Sequence, residues 1–280
     1  MDEPRSLSVS QVNAYLACPL KYRFQYIDQI PRPWRAAALA FGSSVHAAVE
    51  WFHRERLEGR HPDTSEVLKI FDADWYAQNL EPLVFSERES RDGLLSKGHE
   101  MLQLYVSEQA GTPLPAAVEQ PFEVDLHDPE TGEVLDVRFR GFVDLIEADG
   151  TVVDLKTAGR SLESGGLERH LQLSCYALAG LILTSQIPPL RLDMLFKTAR
   201  PRFERLETSR TVSELAWVAQ LIREVALAIR TEHFFPNPSW RCCECEYFAH
   251  CQRWRGYEVP LEQELVTIAV SGEGVGDAVA

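Results

Sequence analysis

One stretch, GFVDLIEADGTVVDLKT at residues 141–157, restricts the fold more than any other part of this chain. With Ala148-Asp149-Gly150 as a three-residue hairpin loop and Gly150 in the left-handed region, Glu147 pairs with Thr151 and Asp144 lies opposite Asp154. Both carboxylates and Lys156 then share one face, while Val143, Leu145, Val153 and Leu155 line the other. A two-residue Asp-Gly turn would put the aspartates on opposite faces and mix the two sets. The apolar pattern therefore selects the three-residue loop.

Other elements flank this hairpin. Ser8 with Gln11 is a capping-box signature that opens an amphipathic helix carrying Val12, Tyr15 and Leu16, interrupted at Pro19 just after Cys18. Helical periodicity returns over about 37–57, 65–78 and 94–108. The runs VEQPFEVDL, VLDVRFR, GFVDLIE and TVVDLKT are β-rich and separated by the turn formers DPETGE and ADG. A helix over about 167–183, the strand-like RLDMLFKT and RFERLETS, and a long helix over 212–230 complete the order. The pattern predicts an α/β (α+β) chain with a central mixed β-sheet flanked by helices. At 280 residues and 45% hydrophobic, the chain can bury one large core or two modest ones. We expect one domain over 1–258, with a helical part at 1–115, a core at 116–210 and a helix with a cysteine cluster at 211–258. An acidic, flexible tail is expected over 259–280.

No apolar run is long enough to span a bilayer, and MDEPRSLSVSQ lacks the basic-then-apolar start of a secretory signal. The expected location is the cytoplasm, where clustered cysteines are metal ligands more often than disulfides. A formal net charge of -14 argues against coating nucleic acid through bulk electrostatics, though not against a local basic groove. Arginines gather in PRPWR, KTARPRFER, RCCEC and QRWRG, interleaved with aromatics in a manner that suits phosphate contact plus base stacking, or simply a solvated face over buried rings.

Two carboxylates directly across a ladder repel unless something positive lies between them. A divalent cation answers this, and hard Mg²⁺ or Mn²⁺ takes oxygen ligands while leaving positions for water and a phosphate. Lys156 then stands where it can steady an attacking hydroxide or transition-state charge. A solvated strand face with two acids and a base would look the same. In FGSSVHAAVEWFH, Gly42, His46 and Glu50 form one helical stripe, and His46 as a nitrogen ligand would tilt preference toward Mn²⁺. In HLQLSCYALA, Gln172 and Tyr176 share one helix face, a pair that packing alone would also explain.

The stretch RCCECEYFAHC holds four of the six cysteines. Cys242, Cys245 and Cys251 give a C-x-x-C spacing plus one more thiol. Three thiolates do not complete a tetrahedral or cuboidal site, so a fourth must come from elsewhere. Cys243, Cys245 and Cys251 form a competing C-x-C arrangement that leaves Cys242 spare. Spacing alone favours zinc. Cys175 lies on an apolar helix and reads as a packing residue.

Taken together and in order, G-x-x-x-H-x-x-x-E with His46, G-F-V-D-L-I with Asp144, D-L-K with Asp154 and Lys156, and Q-x-x-x-Y with Gln172 and Tyr176 resemble the motifs of the PD-(D/E)XK nuclease superfamily, RecB-type branch. The resemblance spans nearly the whole chain, from LSVSQVNAYLACPLKYRF to CQRWRG. It implies a restriction-endonuclease-like core in which His46, Asp144, Asp154 and the Leu155 carbonyl ligate the metal. Lys156 would be catalytic, and Gln172 and Tyr176 would orient substrate or lysine. Glu119, in V-E-Q-P-F, matches a supporting family glutamate. This chain has Asp where many relatives carry Glu before x-Lys, and both are within the family pattern.

The same resemblance supplies the missing thiol. In the iron-sulfur members, CRISPR-adaptation exonucleases and AddB-type subunits, one N-terminal cysteine joins three C-terminal ones. Here Cys18 would join Cys242, Cys245 and Cys251 around a 4Fe-4S cluster, with structural zinc as the alternative. The implied activity is metal-dependent DNA cleavage, directed at single strands or ends, in repair, recombination or CRISPR adaptation. No G-x-x-x-x-G-K-[ST] motif is present, so unwinding would need a partner such as a helicase, a CRISPR integrase or a phage recombination protein. The other class is a non-catalytic DNA-end-binding scaffold subunit, against which the intact His46, Asp144, Asp154 and Lys156 set argues.

Overall fold

The computed structural model describes residues 6–80 and 82–258. The tail expected at 259–280 lies outside them. A six-stranded mixed sheet forms the centre, and β2 (Arg35–Ala36) and β3 (Leu83–Val84) pair in parallel as a separate two-stranded sheet. Its longest strand, β5 (Val134–Ile146), pairs antiparallel with β4 (Ala117–His127) along its whole length. The other edge of β5 is divided. β1 (Ser6–Ser8) pairs with it in parallel at Arg138–Arg140, and β6 (Val152–Ala158) pairs antiparallel at Leu145 and Ile146. Between those two pairings, residues 141–144 have no strand beside them on that edge. β7 (Leu190–Phe196) and β8 (Arg202–Thr208) extend the sheet beyond β6.

The hairpin takes the three-residue loop. Glu147 N–H donates to the Thr151 carbonyl at 2.9 Å, and Gly150 has φ +88°. VLDVRFR and GFVDLIE, which read as two runs, are one continuous strand. Gly141 is no break in it: a Cβ there would stand 2.7 Å from the Phe122 ring, so glycine lets that ring cross the strand closely.

Helices cover both faces. α1 (Val9–Ala17) begins with the expected capping box of Ser8 and Gln11, and buries Val12 and Tyr15 but leaves Leu16 exposed. The chain continues through the short α2 (Pro19–Tyr22) and a π-helical turn at Arg23–Ile27. α3 (Ala37–Leu57), α4 (Thr64–Gln78) and α5 (Arg91–Glu108) pack together over Leu155 and Leu195. α6 (Leu171–Thr184) and α7 (Val212–Arg230) cover the other layer, with Phe139, Val152 and Leu192 beneath them. Val143 belongs to this second cluster, so the four apolar hairpin residues are all buried but do not share one core. α6 starts four residues later than its apolar periodicity suggests, because turns occupy 164–169 and His170 supplies the cap. Cys175 is fully buried on α6, its thiol pushed up to about 12 by that burial.

Direct contacts tie the first helices to the C-terminal segment. Tyr15 donates to the His233 carbonyl at 2.6 Å, Leu20 N–H donates to Phe235 O at 3.0 Å, and Lys21 pairs with Glu246 at 2.8 Å. A short helix, α8 (Phe248–Trp254), ends this segment. Among the described residues, no helix is long and apolar enough to cross a membrane.

Candidate active site

The site lies where β5 and β6 part. Their ladder consists of Leu145 with Val153 and Ile146 with Val152, and the next facing positions are Asp144 and Asp154. Past the ladder, the Leu155 N–H has lost a strand partner and donates instead to Asp144 Oδ2 at 2.9 Å. That bond orients the carboxylate, whose side chain is 18% exposed. Asp154 is fully buried, its Oδ1 accepting from Lys156 Nζ at 2.9 Å and its Oδ2 left without a hydrogen-bond partner. Burial raises the Asp154 pKa to about 7, against the opposing pull of Lys156.

His46 approaches from α3. Its Nδ1 lies 3.8 Å from Asp144 Oδ2. Burial pushes the imidazole below its ordinary range, while Asp144 and the Leu155 carbonyl hold it up. Gly42, one turn earlier, makes this possible: a Cβ there would stand 3.2 Å from Thr157 Oγ1, so glycine lets α3 settle on the end of β6. Glu50 is turned to Arg54 at 2.7 Å.

From the other side, α6 presents Gln172 and Tyr176, joined by a bond from Gln172 Nε2 to the Tyr176 hydroxyl at 2.6 Å. Tyr176 is buried with its ring edge-on to Phe122, and its phenol is pushed up by burial first and by Asp144 next. Both residues line, with Asp144, a groove of about 750 Å³ along the open edge of β5.

Two acidic and basic groups complete the surroundings. Glu119 stands opposite Asp144 in the β4–β5 register, with the left-handed φ of +47°. Burial, Asp144 and Glu50 together raise its pKa to about 7. His170 was not apparent from sequence. Its Nδ1 caps α6 by accepting from Leu173 N–H at 3.4 Å, which turns Nε2 toward Asp154 Oδ2, 4.0 Å away. Burial, with Lys156 and Arg210 adding to it, lowers its pKa to about 4, so it stays neutral. The one sequence signal for it is its place just ahead of the Gln172 motif, masked because apolar periodicity continues back to Leu167.

The donors thus fit a hard divalent ion in kind: an orphaned buried carboxylate oxygen, a second carboxylate, an imidazole and a carbonyl. They do not close on one point. Among the described residues, no three His, Cys, Asp or Glu side chains are gathered as an ion-binding group, either here or at the cysteines. His46 meets Asp144, but Asp154 is turned to Lys156.

The cysteines make a second place. Cys18, Cys242, Cys245 and Cys251 line one cavity of about 230 Å³, where Cys18, Cys245 and Cys251 pack against Leu20, Phe24 and Tyr247. Asn237 N–H donates to Cys18 Sγ at 3.5 Å, and Ser239 N–H donates to Cys242 Sγ at 3.4 Å. Cys243 is exposed and gives its S–H to the Trp240 carbonyl at 2.8 Å, away from the other four. α1 joins the two places: Ser8 to Ser10 line the groove, and Ala17 and Cys18 line the cysteine cavity, roughly 13 Å along the helix.

Comparison with known proteins agrees with this geometry. The family model of the PD-(D/E)XK nuclease superfamily matches residues 6–252. The chain belongs to that superfamily. A solved structure from Eubacterium rectale, named as a candidate exonuclease, shares the fold: TM-score 0.58 and 14% identity over 94% of this chain and 92% of that one. The structure of SSO0001 aligns with TM-score 0.37 at 13% identity, over 86% of this chain and 94% of its own. No curated protein matches the sequence. As a superfamily member the protein is a nuclease, with the mixed α/β core of that group.

Proposed function

We propose that this nuclease is a metal-dependent deoxyribonuclease of the RecB-type branch, acting on single strands or ends. The observation that carries this is the parted β5–β6 hairpin, in which Asp144, the Leu155 backbone, Asp154 and Lys156 surround one opening within a chain matched to the superfamily over 6–252. His46, Asp144, Asp154 and the Leu155 carbonyl are the groups that would hold Mg²⁺ or Mn²⁺. Such an ion supplies charge neutralisation at the scissile phosphate and lowers the pKa of bound water.

The chain's own residues divide the remaining work. Lys156, partly exposed at the opening, donates to Asp154 and presents positive charge toward a phosphate entering beside Asp144. Gln172 and Tyr176 hold one another and form the wall against which substrate or Lys156 is oriented. Neutral His170 stands 4.0 Å from the orphan oxygen of Asp154, near enough to take part in positioning it once a ligand is bound.

At the other end of α1, Cys18, Cys242, Cys245 and Cys251 would hold a 4Fe-4S cluster, or zinc in its place. What supports four ligands in that choice is their common cavity, the amide donors on Cys18 and Cys242, and the turned-away Cys243. The exposed Trp240, Trp254 and Tyr257 around them, with Arg241 over Trp240 and Arg255 over Tyr257, suit a single strand running past the cluster. An exonuclease reading is also in keeping with the name of the Eubacterium rectale relative. A helicase, a CRISPR integrase or a phage recombination protein would supply the ends.

The test is cleavage of end-labelled linear and closed circular single-stranded DNA with Mn²⁺, with Mg²⁺ and with excess EDTA. Degradation of the linear strand alone, abolished by EDTA, is the expected result. DNA binding without cleavage under every metal would favour the scaffold subunit.

A further inference from the structure

We infer that the groove beside Asp144 is a subsite for the unpaired nucleotide next to the scissile phosphate, with Arg140 taking its backbone phosphate and Phe142 stacking on its base. This rests on the nuclease reading above and adds the residues that would set strand preference. Arg140, Phe142 and Asp144 occupy every second position of β5, which puts them on one side of the strand with about 7 Å between each and the next. All three line the same groove, whose 750 Å³ lies within the roughly 300–1,000 Å³ of sites that hold small ligands.

The groove exists because of the topology. β1 leaves the edge of β5 after Arg140, where Ser8 caps α1 and turns the chain away, and β6 does not join until Leu145. Ser8, Val9 and Ser10 line it together with Gln172 and Tyr176. The opening therefore runs directly into the catalytic face.

Its chemistry points to a nucleotide. Arg140 is exposed, and its guanidinium has no hydrogen bond or ion pair among the described residues, although Glu123 lies directly across the ladder. Glu123 turns instead to Arg138 at 3.5 Å, and Arg138 also meets Asp125 at 3.4 Å. In a chain of net charge -14, a cation left over beside the active site is placed for an external anion. Phe142 is an apolar ring on the same side of the strand, 59% exposed to solvent. A cation and an open ring on neighbouring outward positions match a phosphate and a base, and the ring needs the base to be unpaired.

The test compares kcat and KM on a single-stranded oligonucleotide, and on its duplex, for the native protein and for Arg140→Ala, Arg140→Lys, Phe142→Ala and Phe142→Tyr. Both residues are surface-exposed, so thermal melting should be unchanged. We expect each Ala variant to raise KM on the single strand 5-fold or more with a much smaller change in kcat. Phe142→Tyr should restore KM, Arg140→Lys should restore it in part, and Arg140→Ala should reduce the dependence of log KM on log salt by about one phosphate contact. Native KM in both Ala variants, with the native protein still cleaving, overturns the subsite and leaves the nuclease reading standing. Equal effects on duplex and single strand overturn the stacking assignment. A native protein that cleaves nothing under any metal overturns the nuclease reading, and the subsite falls with it.

Discussion

Across the hairpin, the backbone N–H of Leu155 donates to Asp144 Oδ2 at 2.9 Å. A side chain has taken the place of a strand at the point where β5 and β6 separate. In a β-strand the N–H and C=O of one residue face the same edge, so the Leu155 carbonyl looks toward the same opening, where it meets His46. The backbone of one residue thereby faces two of the candidate ligands. The opening is a consequence of the ladder ending early, and no loop is needed to build it.

Asp154→Ala and Lys156→Ala should each lower kcat by about 100-fold or more, the scale on which removal of one preorganised charged group acts. Their effects on metal should differ. Asp154→Ala should weaken Mn²⁺ binding, whereas Lys156→Ala should leave it near native, because the ammonium is a partner of the carboxylate and not a donor to the ion. Isothermal titration with Mn²⁺ checks this, and equal loss of metal in both variants would show that the two roles are not separate.

Glu119 gives a pH prediction. Its pKa in the folded protein, raised to about 7, exceeds the ordinary 4.5, so the folded state binds more protons than the unfolded state between those values. The stabilising contribution is fully present below pH 4.5 and is lost as pH rises through 7. In EDTA, Glu119→Gln should be more stable than the native protein at pH 8 and closer to it at pH 5. Asp154 titrates in the same direction in both proteins, so the difference between them isolates Glu119. Parallel urea midpoints at the two pH values would contradict the placement of Glu119 beside Asp144.

The hairpin register was readable because period-two alternation and a loop glycine both had to be satisfied at once, and only one register does so. The long helices were readable for a similar reason: α3 and α7 carry whole stripes of buried residues. β1 was not, since three residues carry no period and its partner, β5, lies far along the chain. Gly141 looked like a boundary because a close approach by Phe122 leaves no local mark. Nor could the sequence say that Asp154 would face Lys156 while His46 faced Asp144, since that depends on how far two strands part.

Gly98 tests the packing of the α3–α5 layer that carries His46. A Cβ there would lie 2.1 Å from Cζ of Phe71, a ring that is itself fully buried beside Phe41 and Trp75. The ring has nowhere to swing, so Gly98→Ala should destabilise by about 1–3 kcal/mol despite the better helix propensity of alanine. Urea unfolding should show the loss, and Phe71→Leu in the same chain should recover part of it. An unchanged midpoint for Gly98→Ala would mean that α4 and α5 lie farther apart than described.

The cysteines separate two arrangements that spacing alone leaves open. If Cys18, Cys242, Cys245 and Cys251 are the ligands, each serine variant should lose the brown colour and visible absorbance of protein purified anaerobically. Cys243→Ser and Cys175→Ser should keep them, because Cys243 is bonded to Trp240 O and Cys175 is buried on α6. Retained colour in Cys242→Ser with lost colour in Cys243→Ser would establish the C-x-C arrangement instead. Colourless protein with stoichiometric zinc would replace iron-sulfur by zinc without changing the ligands. Stability should fall in the four ligand variants, since a group held by Cys18 and the C-terminal thiols closes a very long loop. The fall should stop short of unfolding, because Tyr15 to His233 O, Leu20 to Phe235 O and Lys21 to Glu246 still hold the first helices to the C-terminal segment. Complete unfolding of Cys18→Ser would show that those contacts form only when the group is bound.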